Sequence, residues 1–272
     1  ATATSSFRTG FLNATLDGDF AGAAWITGGD TTRILRHEFT LDSEPTEAFV
    51  YVSGVGYYEL TCDGKKVGDH ELDVGWTDYN DRLYYVAHNI TDCLTSSNSN
   101  SNANADGNAA ASHVFGVKLG NGWFAKAGGQ PGAHAAPPML LLKANIRIGN
   151  GDVRSVVSGL DWQCAQGPIV ADSLYNGETF DARIAKNVSG WDTVGFDASN
   201  WANVTTARAV TSAKLSSQLF EPIRQIAEWK PLTITEPKPG MFVVDFGQNM
   251  AGSVCMYACM YVCMYVCMYV CM

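Results

Sequence analysis

The chain has 272 residues, of which 46% are apolar and 17% are charged, so it has enough apolar material for a core and is not a wholly disordered protein. Its 18 Lys and Arg residues against 27 Asp and Glu residues give a net charge of -9, which argues against nucleic acid as a partner and against binding to an anionic membrane surface. The 27 glycines and the scarcity of long helix-forming runs favour strands joined by tight turns.

The first segments with a strand pattern are residues 33–41 and 47–53. A hairpin is predicted next, in which residues 57–62 lead to Asp63-Gly64 and residues 65–67 return. The Asp-Gly pair suits a type I′ turn because both positions need a positive φ. The residues of the second strand that are predicted to face a core are Ala48, Val50 and Val52.

Further strands are predicted at residues 113–119 and in a second hairpin, where residues 139–148 and 153–157 flank the turn 149–152. No window of eleven or more residues combines a period of 3.6 with both helix caps. The sequence therefore predicts an all-β body, most simply an antiparallel sandwich or jelly roll.

Two segments are compositionally simple. Residues 95–112 are small and polar and are predicted to form a loop without a packed core. Residues 255–272 repeat Cys-Met-Tyr-Val, and we interpret them as a translated tetranucleotide repeat. As alternatives, the tail could form a strand, or a helix just long enough to anchor the chain in a membrane, although no basic cluster flanks it. A metal site built from its cysteines is disfavoured by the spacing.

The predicted organisation has five parts. They are an N-terminal extension and lead-in strand (1–39), a β-sandwich (40–207), a linker (208–219), the start of a second β-sandwich (220–254) and the repeat tail (255–272). No signal peptide is visible at residue 1, and the natural N-terminus is expected to lie further upstream.

The cysteines and histidines show no recognised ligand spacing. Cys62, Cys93 and Cys164 are widely separated, so the sequence predicts neither a disulfide framework nor a zinc signature. The histidines have no HxxxH or HxH spacing and no nearby cysteine, and no metal site is predicted from them. They are His37, His70, His88, His113 and His134.

Six motifs occur in a characteristic order, and together they resemble the N-terminal region of the bacterial-type α-L-rhamnosidases. The motifs are residues 53–94 (from SGVGYYELTCDG to YYVAHNITDCL), LGNGWF (119–124), YNGETFDAR (175–183), GWDTVGFDASNW (190–201), EPIRQIAEWKP (221–231) and VVDFGQNMAG (243–252). The resemblance covers about Trp25 to Val254, and the two simple segments depart from it.

The resemblance implies a galactose-binding-like β-sandwich followed by the first strands of a second β-sandwich. In that family a helical barrel carries the chemistry, which resembles that of other inverting glycosidases: one carboxylic acid protonates the leaving oxygen and a carboxylate activates water. The chain is expected to be truncated before that barrel, so no catalytic residue is assigned and activity of the chain alone is uncertain. The implied partner is a rhamnose-containing glycan or glycoside.

Five residues are candidate ligand-binding residues. Asn176, Glu178 and Asp181 place three side-chain oxygens within six residues, where they could bind sugar hydroxyls or calcium; no other cofactor is expected. The alternative is structural, with these residues capping a turn and pairing with Arg183. Trp76 and Trp123 lie in glycine-flanked segments and offer flat apolar faces suited to stacking on a sugar.

Four N-x-Ser/Thr sequons favour a secreted or extracellular protein, although a cytoplasmic location stays open. Their asparagines are Asn13, Asn89, Asn187 and Asn203. The leading hypothesis is a carbohydrate-recognition and support module of an α-L-rhamnosidase-like glycoside hydrolase. The alternatives are a non-catalytic, tail-anchored glycan-binding protein at the cell surface and a non-functional gene fragment.

Overall fold

The structure is a computed structural model that describes residues 10–31, 33–96, 102–103, 109–125, 134, 136–149, 151–207, 213–260 and 262–270. The chain divides into two compact units, Ala1–Ile223 and Arg224–Met272. The described residues form strands and two six-residue helices, with no barrel, so the predicted all-β class is confirmed.

The elements follow one another along the chain as short and medium strands with few helical interruptions. In chain order they are β1 (Ile26–Thr27), β2 (Ile34–Leu41), β3 (Pro45–Val55), β4 (Tyr57–Cys62), β5 (Lys65–Lys66), β6 (His70–Glu71), β7 (Arg82–Asn89), α1 (Thr91–Ser96), β8 (Asn102–Ala103), β9 (Ala109–Gly120), β10 (Met139–Ile148), β11 (Val153–Val157), β12 (Gln163–Ala165), β13 (Ile169–Ser173), β14 (Gly177–Phe180), α2 (Ala182–Asn187), β15 (Ala202–Asn203), β16 (Thr205–Thr206), β17 (Lys214–Ser217), β18 (Ile223–Arg224), β19 (Thr233–Lys238), β20 (Met241–Asp245), β21 (Gly252–Met260) and β22 (Val262–Val270).

Two large sheets make up the first unit. The first sheet has the order β16-β1-β10-β3-β7-β17, with β11 paired to β10. The second has the order β15-β12-β2-β9-β4-β5, with β8 paired to β9. The central pairs β10–β3 and β2–β9 are antiparallel, as the sequence predicts for a sandwich.

The main core lies between these two sheets. The inward residues predicted for β3 are confirmed, because Ala48, Val50 and Val52 are fully buried. They pack in one cluster with the opposite sheet, to which β9 contributes Phe115 and Val117. Each large apolar side chain buried in this way contributes about 1.5–3 kcal/mol to the stability of the fold.

The outer face of the first sheet is also covered. Tyr51 alternates with the inward residues of β3 and is still only 3% exposed. Phe11 stacks on its ring with centroids 3.9 Å apart, and Phe20 is fully buried in the same cluster. The described part of the predicted N-terminal extension therefore packs on the sandwich and forms a second core.

The two predicted hairpins are present. Thr61 pairs with Lys66 across Asp63 and Gly64, whose φ values of 49° and 78° fit the type I′ turn. Strands β10 and β11 pair in register from Lys143↔Val157 to Arg147↔Val153. Local turn chemistry was therefore sufficient to predict both.

The predicted linker 208–219 is partly strand. Residues 208–212 lie outside the described residues, but Lys214–Ser217 forms β17 and runs parallel to β7, with Leu215 opposite Leu83. The segment is short, and its partner strand lies more than a hundred residues earlier in the chain, so no local pattern predicts this pairing.

One expectation about the cysteines was wrong. Cys62 at the end of β4 and Cys93 in α1 form a disulfide, with Cα atoms 6.4 Å apart. The two residues are 31 positions apart in the chain and meet only because the fold brings α1 beside the end of β4. Cys164 is free and buried.

The predicted loop 95–112 lies only partly within the described residues. Residues 97–101 and 104–108 are outside them. On either side, α1 ends at Ser96, and β8 pairs with the start of β9 through Asn102↔Ala110 and Ala103↔Ala109.

The second unit contains two hairpins. Strands β19 and β20 pair from Thr233↔Asp245 onward, and the side chains of both strands are exposed. In the repeat tail, β21 and β22 pair antiparallel from Gly252↔Val270 to Met260↔Val262. The tail backbone is therefore extended, as in the strand alternative. Among the described residues, no helix has the length and apolar character needed to cross a bilayer.

Candidate functional site

Three aromatic side chains gather at one end of the sandwich, and we call them the aromatic rim: Trp76, Trp123 and Tyr175. The ring centroids of Trp76 and Trp123 are 5.9 Å apart, and those of Trp123 and Tyr175 are 6.1 Å apart. Trp76 is 68% exposed and Tyr175 is 67% exposed. Trp123 is partly buried and packs against the second core. Exposed aromatic rings grouped together mark candidate binding surfaces.

Asn121 fixes the segment that carries Trp123. It is 2% exposed, and its side chain lies between a cation and an anion. Its Oδ1 accepts a hydrogen bond from Arg33 Nη2 at 2.8 Å, and its Nδ2 donates to the carbonyl and Oδ1 of Asp172 at 2.9 and 3.0 Å. The backbone N–H of Asn121 donates to Asp172 Oδ2 at 2.7 Å. Burial lowers the pKa of Arg33, partly opposed by the charge of Asp172.

The same turn depends on a close backbone approach. Gly56 has a φ of 101°, and a Cβ added there would collide with the carbonyl oxygen of Gly120. Only glycine combines this φ with this contact at low cost. The start of β4 can therefore lie directly against the end of β9, where Asn121 begins the turn.

Trp76 lies in a segment that is tied down on both sides. Tyr58 donates its backbone N–H to the carbonyl of Asp73 at 2.9 Å. The N–H of Gly75 donates to Gln218 Oε1 at 3.0 Å, and the ring of Phe220 lies where a Cβ of Gly75 would be. The segment before Trp76 is thus held by β4 and by residues that follow β17.

The β13–β14 hairpin presents Tyr175, Asn176 and Glu178. Asp172 and Glu178 are cross-strand partners in this hairpin. Burial and the nearby carboxylate of Asp172 raise the pKa of Glu178, and Lys118 acts in the opposite direction. Asn176 is exposed, and its Nδ2 donates to Ser173 Oγ at 3.2 Å.

Asp181 has a structural role in the described structure. Its Oδ1 accepts the N–H of Arg183 at 2.9 Å as the N-cap of α2, and its Oδ2 accepts Arg183 Nη2 at 2.6 Å. These hydrogen bonds lower its pKa to about 2. This is the capping and pairing arrangement that the sequence offered as the alternative to ligand binding.

The structure therefore brings some predicted residues together and separates others. Trp76 and Trp123 are in contact, Asn176 and Glu178 share the adjacent hairpin, and Asp181 is engaged elsewhere. The described side chains form two groups of three potential metal ligands, and neither includes Glu178 or Asp181. Sequence reasoning missed Tyr175 and Asn121, although both lie inside motifs it had singled out.

Two carboxylates lie beside the rim, on the β13–β14 hairpin. Asp172 and Glu178 are antiparallel cross-strand partners, so both belong to one hairpin. In an inverting glycosidase the acid and the base act from opposite faces of the sugar.

A second polar cluster is buried beside the Trp76 segment. Nδ1 of His70 lies 2.8 Å from Oδ2 of Asp73, and Oη of Tyr58 lies 3.2 Å from Nε2 of His88. Burial raises the pKa of Asp73, although its hydrogen bond with His70 opposes this, and burial lowers the pKa of His88 to about 4. Desolvation also holds the pKa of Tyr58 well above its usual range.

Comparison with known proteins identifies the family. The family model of the α-L-rhamnosidase N-terminal domain matches residues 43–227. An α-L-rhamnosidase of Streptomyces avermitilis is 37% identical over 223 residues, which are 81% of this chain and 20% of that protein. One from Formosa agariphila is 31% identical over 233 residues, 83% of this chain and 23% of that protein.

Solved structures agree with the sequence matches. An α-L-rhamnosidase from Dictyoglumus thermophilum superposes with a TM-score of 0.75 at 29% identity, over 90% of this chain and 27% of that one. The Streptomyces avermitilis α-L-rhamnosidase complexed with L-rhamnose superposes with a TM-score of 0.73 at 33% identity. The match covers 84% of this chain and 21% of that one. The chain thus spans about a fifth to a quarter of the length of these relatives. With the fold and the ordered motifs, the family match over residues 43–227 shows that this chain belongs to the α-L-rhamnosidase N-terminal domain family.

Proposed function

We propose that this chain is a carbohydrate-recognition and support module of an α-L-rhamnosidase-type glycoside hydrolase, and that the aromatic rim binds a rhamnose-containing glycan. The observation that carries the proposal is the contact between Trp76 and Trp123, with Tyr175 alongside, on an exposed end of the sandwich. A similar structure holds L-rhamnose, which supports the choice of sugar.

The chemistry of the rim fits a deoxysugar. Rhamnose has a methyl group and C–H faces that can lie on the flat apolar surfaces of Trp and Tyr. Beside these rings, the amide of Asn176 and the carboxyl of Glu178 offer hydrogen-bonding groups for ring hydroxyls. Aromatic contact would provide affinity, and the polar groups would fix the orientation of the sugar.

We further propose that the longer protein hydrolyses terminal α-L-rhamnose and that the chain as given binds without turnover. In support, Asp172 and Glu178, the carboxylates beside the rim, lie on the same hairpin, whereas an inverting glycosidase uses an acid and a base on opposite faces of the sugar. Incubating the purified chain with p-nitrophenyl α-L-rhamnoside tests this. We expect no release of p-nitrophenol above a buffer control, and sustained catalytic release would overturn the claim.

Titration calorimetry of the chain with methyl α-L-rhamnoside tests recognition. We expect one site per chain, loss of at least about tenfold in affinity for Trp76→Ala, and little change for Val153→Ala. Val153 is a suitable control because it is exposed and lies far from the rim. It follows the β10–β11 turn, whereas the other end of β10, where Met139 pairs with Val55, lies near the rim. Absence of binding by the wild-type chain, both with added calcium and with a chelator, would refute the proposal.

We also propose that the protein is secreted. The disulfide between Cys62 and Cys93 is typical of oxidising compartments. All four sequon asparagines are exposed, and they are Asn13, Asn89, Asn187 and Asn203. Expression in a eukaryotic secretory host should yield a product whose mass falls on treatment with a peptide N-glycosidase. A product of unchanged mass and with free thiols at Cys62 and Cys93 would contradict secretion.

A further inference from the structure

The buried cluster beside Trp76 draws on four separate pieces of the first unit. Tyr58 comes from β4, His70 from β6, Asp73 from the segment before Trp76 and His88 from β7. The three residues His70, Asp73 and His88 place one nitrogen or oxygen ligand atom each within 4.8 Å of one another. Two imidazoles and one carboxylate converging on one point form a ligand set typical of divalent transition metals.

The separations within the cluster are close to those of a tetrahedral site. A metal with bonds of about 2.0–2.2 Å holds its ligands about 3.3–3.6 Å apart. Oδ2 of Asp73 lies 2.8 Å from Nδ1 of His70 and 3.8 Å from Nε2 of His88. Oη of Tyr58 lies 3.5 Å from the same carboxylate oxygen and 3.2 Å from Nε2 of His88. These four separations lie on either side of the tetrahedral value.

The surroundings favour a cation. Asp73 is 5% exposed and His88 is 7% exposed, and the side chain of His70 is 15% exposed, which leaves an approach from solvent on the His70 side. Oδ1 of Asp69 lies 3.9 Å from Nε2 of His70, on the outer side of that ring. The negative charge of this carboxylate favours a cation at the cluster. The nearby Lys66 has its ammonium group 2.6 Å from Glu71 Oε1, which balances its charge.

We propose that His70, Asp73 and His88 bind one divalent transition-metal ion of the zinc class, with Oη of Tyr58 completing the four-atom cluster. The nitrogen ligands select such an ion over calcium or magnesium, which prefer oxygen. The ion would tie the segment that leads to Trp76 to β4 and β7. It would thus be a structural clip next to the aromatic rim, and it departs from the sequence-based expectation that no histidine is a ligand.

The test uses the full chain after alkylation of its accessible thiols, so that the tail cysteines cannot bind metal. Samples are dialysed against Zn²⁺, and bound zinc is then measured per chain. The variants are His70→Gln and Asp73→Asn, with His37→Gln as the control, because His37 is also partly buried and also faces a carboxylate, Asp161, at 3.7 Å. The side-chain nitrogens of all five histidines are followed in parallel by NMR in the wild-type chain.

We expect one zinc per wild-type chain and per His37→Gln chain. In His70→Gln and Asp73→Asn a direct ligand is lost, so the affinity for Zn²⁺ should fall further than in a variant that loses only an outer-shell partner. Loss of an outer-shell partner lowers metal affinity by roughly 10–100-fold. In the wild type, Zn²⁺ should shift the ring nitrogens of His70 and His88 and leave those of His37, His113 and His134 unchanged. Unchanged spectra for His70 and His88, or a response to Ca²⁺ and not to Zn²⁺, would overturn the proposal even if a variant failed to fold.

Discussion

Replacing Asn121 with alanine should destabilise the first unit and misplace the aromatic rim at the same time. The side chain of Asn121 joins Arg33, the end of β9 and the β13–β14 hairpin through its own hydrogen bonds. Truncation to Cβ removes all of these side-chain bonds, whereas the backbone N–H of residue 121 can keep its bond to Asp172.

The size of the effect follows from the partners that are left behind. The bond to the Asp172 carboxylate is charge-assisted and contributes about 1.5–3 kcal/mol, and the bond to the Asp172 carbonyl contributes about 0.5–1.5 kcal/mol. Arg33 is 7% exposed and its buried Nη1 has no hydrogen-bond partner among the residues that the structure describes, so loss of the acceptor for Nη2 costs about 1–3 kcal/mol more. Because water can reach part of Asp172 and the contributions are not additive, we expect a total loss of about 3–5 kcal/mol.

Urea unfolding followed by tryptophan fluorescence measures this loss as a lower midpoint at an unchanged slope. Asn80→Ala is the matched control, because the Nδ2 of Asn80 donates to Asp78 at 3.2 Å on an exposed turn, and its loss should cost less than about 0.5 kcal/mol. The folded fraction of Asn121→Ala should also bind rhamnoside more weakly. A loss of stability below about 1 kcal/mol would show that Asn121 does not hold the end of the sandwich together.

Three further predictions concern the stability of the sandwich, each measured by urea unfolding. Replacing both Cys62 and Cys93 with serine should lower the free energy of unfolding by about 3–4 kcal/mol, because the disulfide closes a 31-residue loop. Equal stability of the wild-type chain with and without reductant would contradict the disulfide. Gly56→Ala should destabilise the fold clearly more than Gly151→Ala. Both glycines have a positive φ, but of the two only Gly56 has backbone atoms where a Cβ would be. Similar losses of stability would refute the argument from close backbone approach. Leu142→Ala should cost about 2–5 kcal/mol and Val153→Ala less than about 0.5 kcal/mol, because only Leu142 is fully buried, and a reversed order would place the core elsewhere.

Local signals in the sequence were enough for the elements whose causes are local. The Asp63-Gly64 turn, the alternation of Ala48, Val50 and Val52, and the β10–β11 hairpin each depend on residues within one short window. The class of fold and the family followed from these elements together with the order of the motifs.

The features that sequence reasoning missed are contacts between distant segments. The parallel pairing of β17 with β7 joins positions more than a hundred residues apart, and the disulfide joins α1 to the end of β4. His70, Asp73 and His88 share no motif spacing and meet because β6 and the segment that follows it lie beside β7. The aromatic rim was predicted in part. The residue types of Trp76 and Trp123 marked each as a candidate, but their contact depends on the fold and was not predicted.

The most direct test of the central claim is an NMR titration of the tryptophan indole N–H signals with L-rhamnose. The chain has seven tryptophans, which makes the spectrum simple to assign by single substitutions. We predict saturable shifts for Trp76 and Trp123, and none for the buried Trp25, Trp162 and Trp191. No shift at Trp76 and Trp123 at saturating L-rhamnose, or larger shifts at the buried indoles, would contradict rhamnose recognition by the aromatic rim.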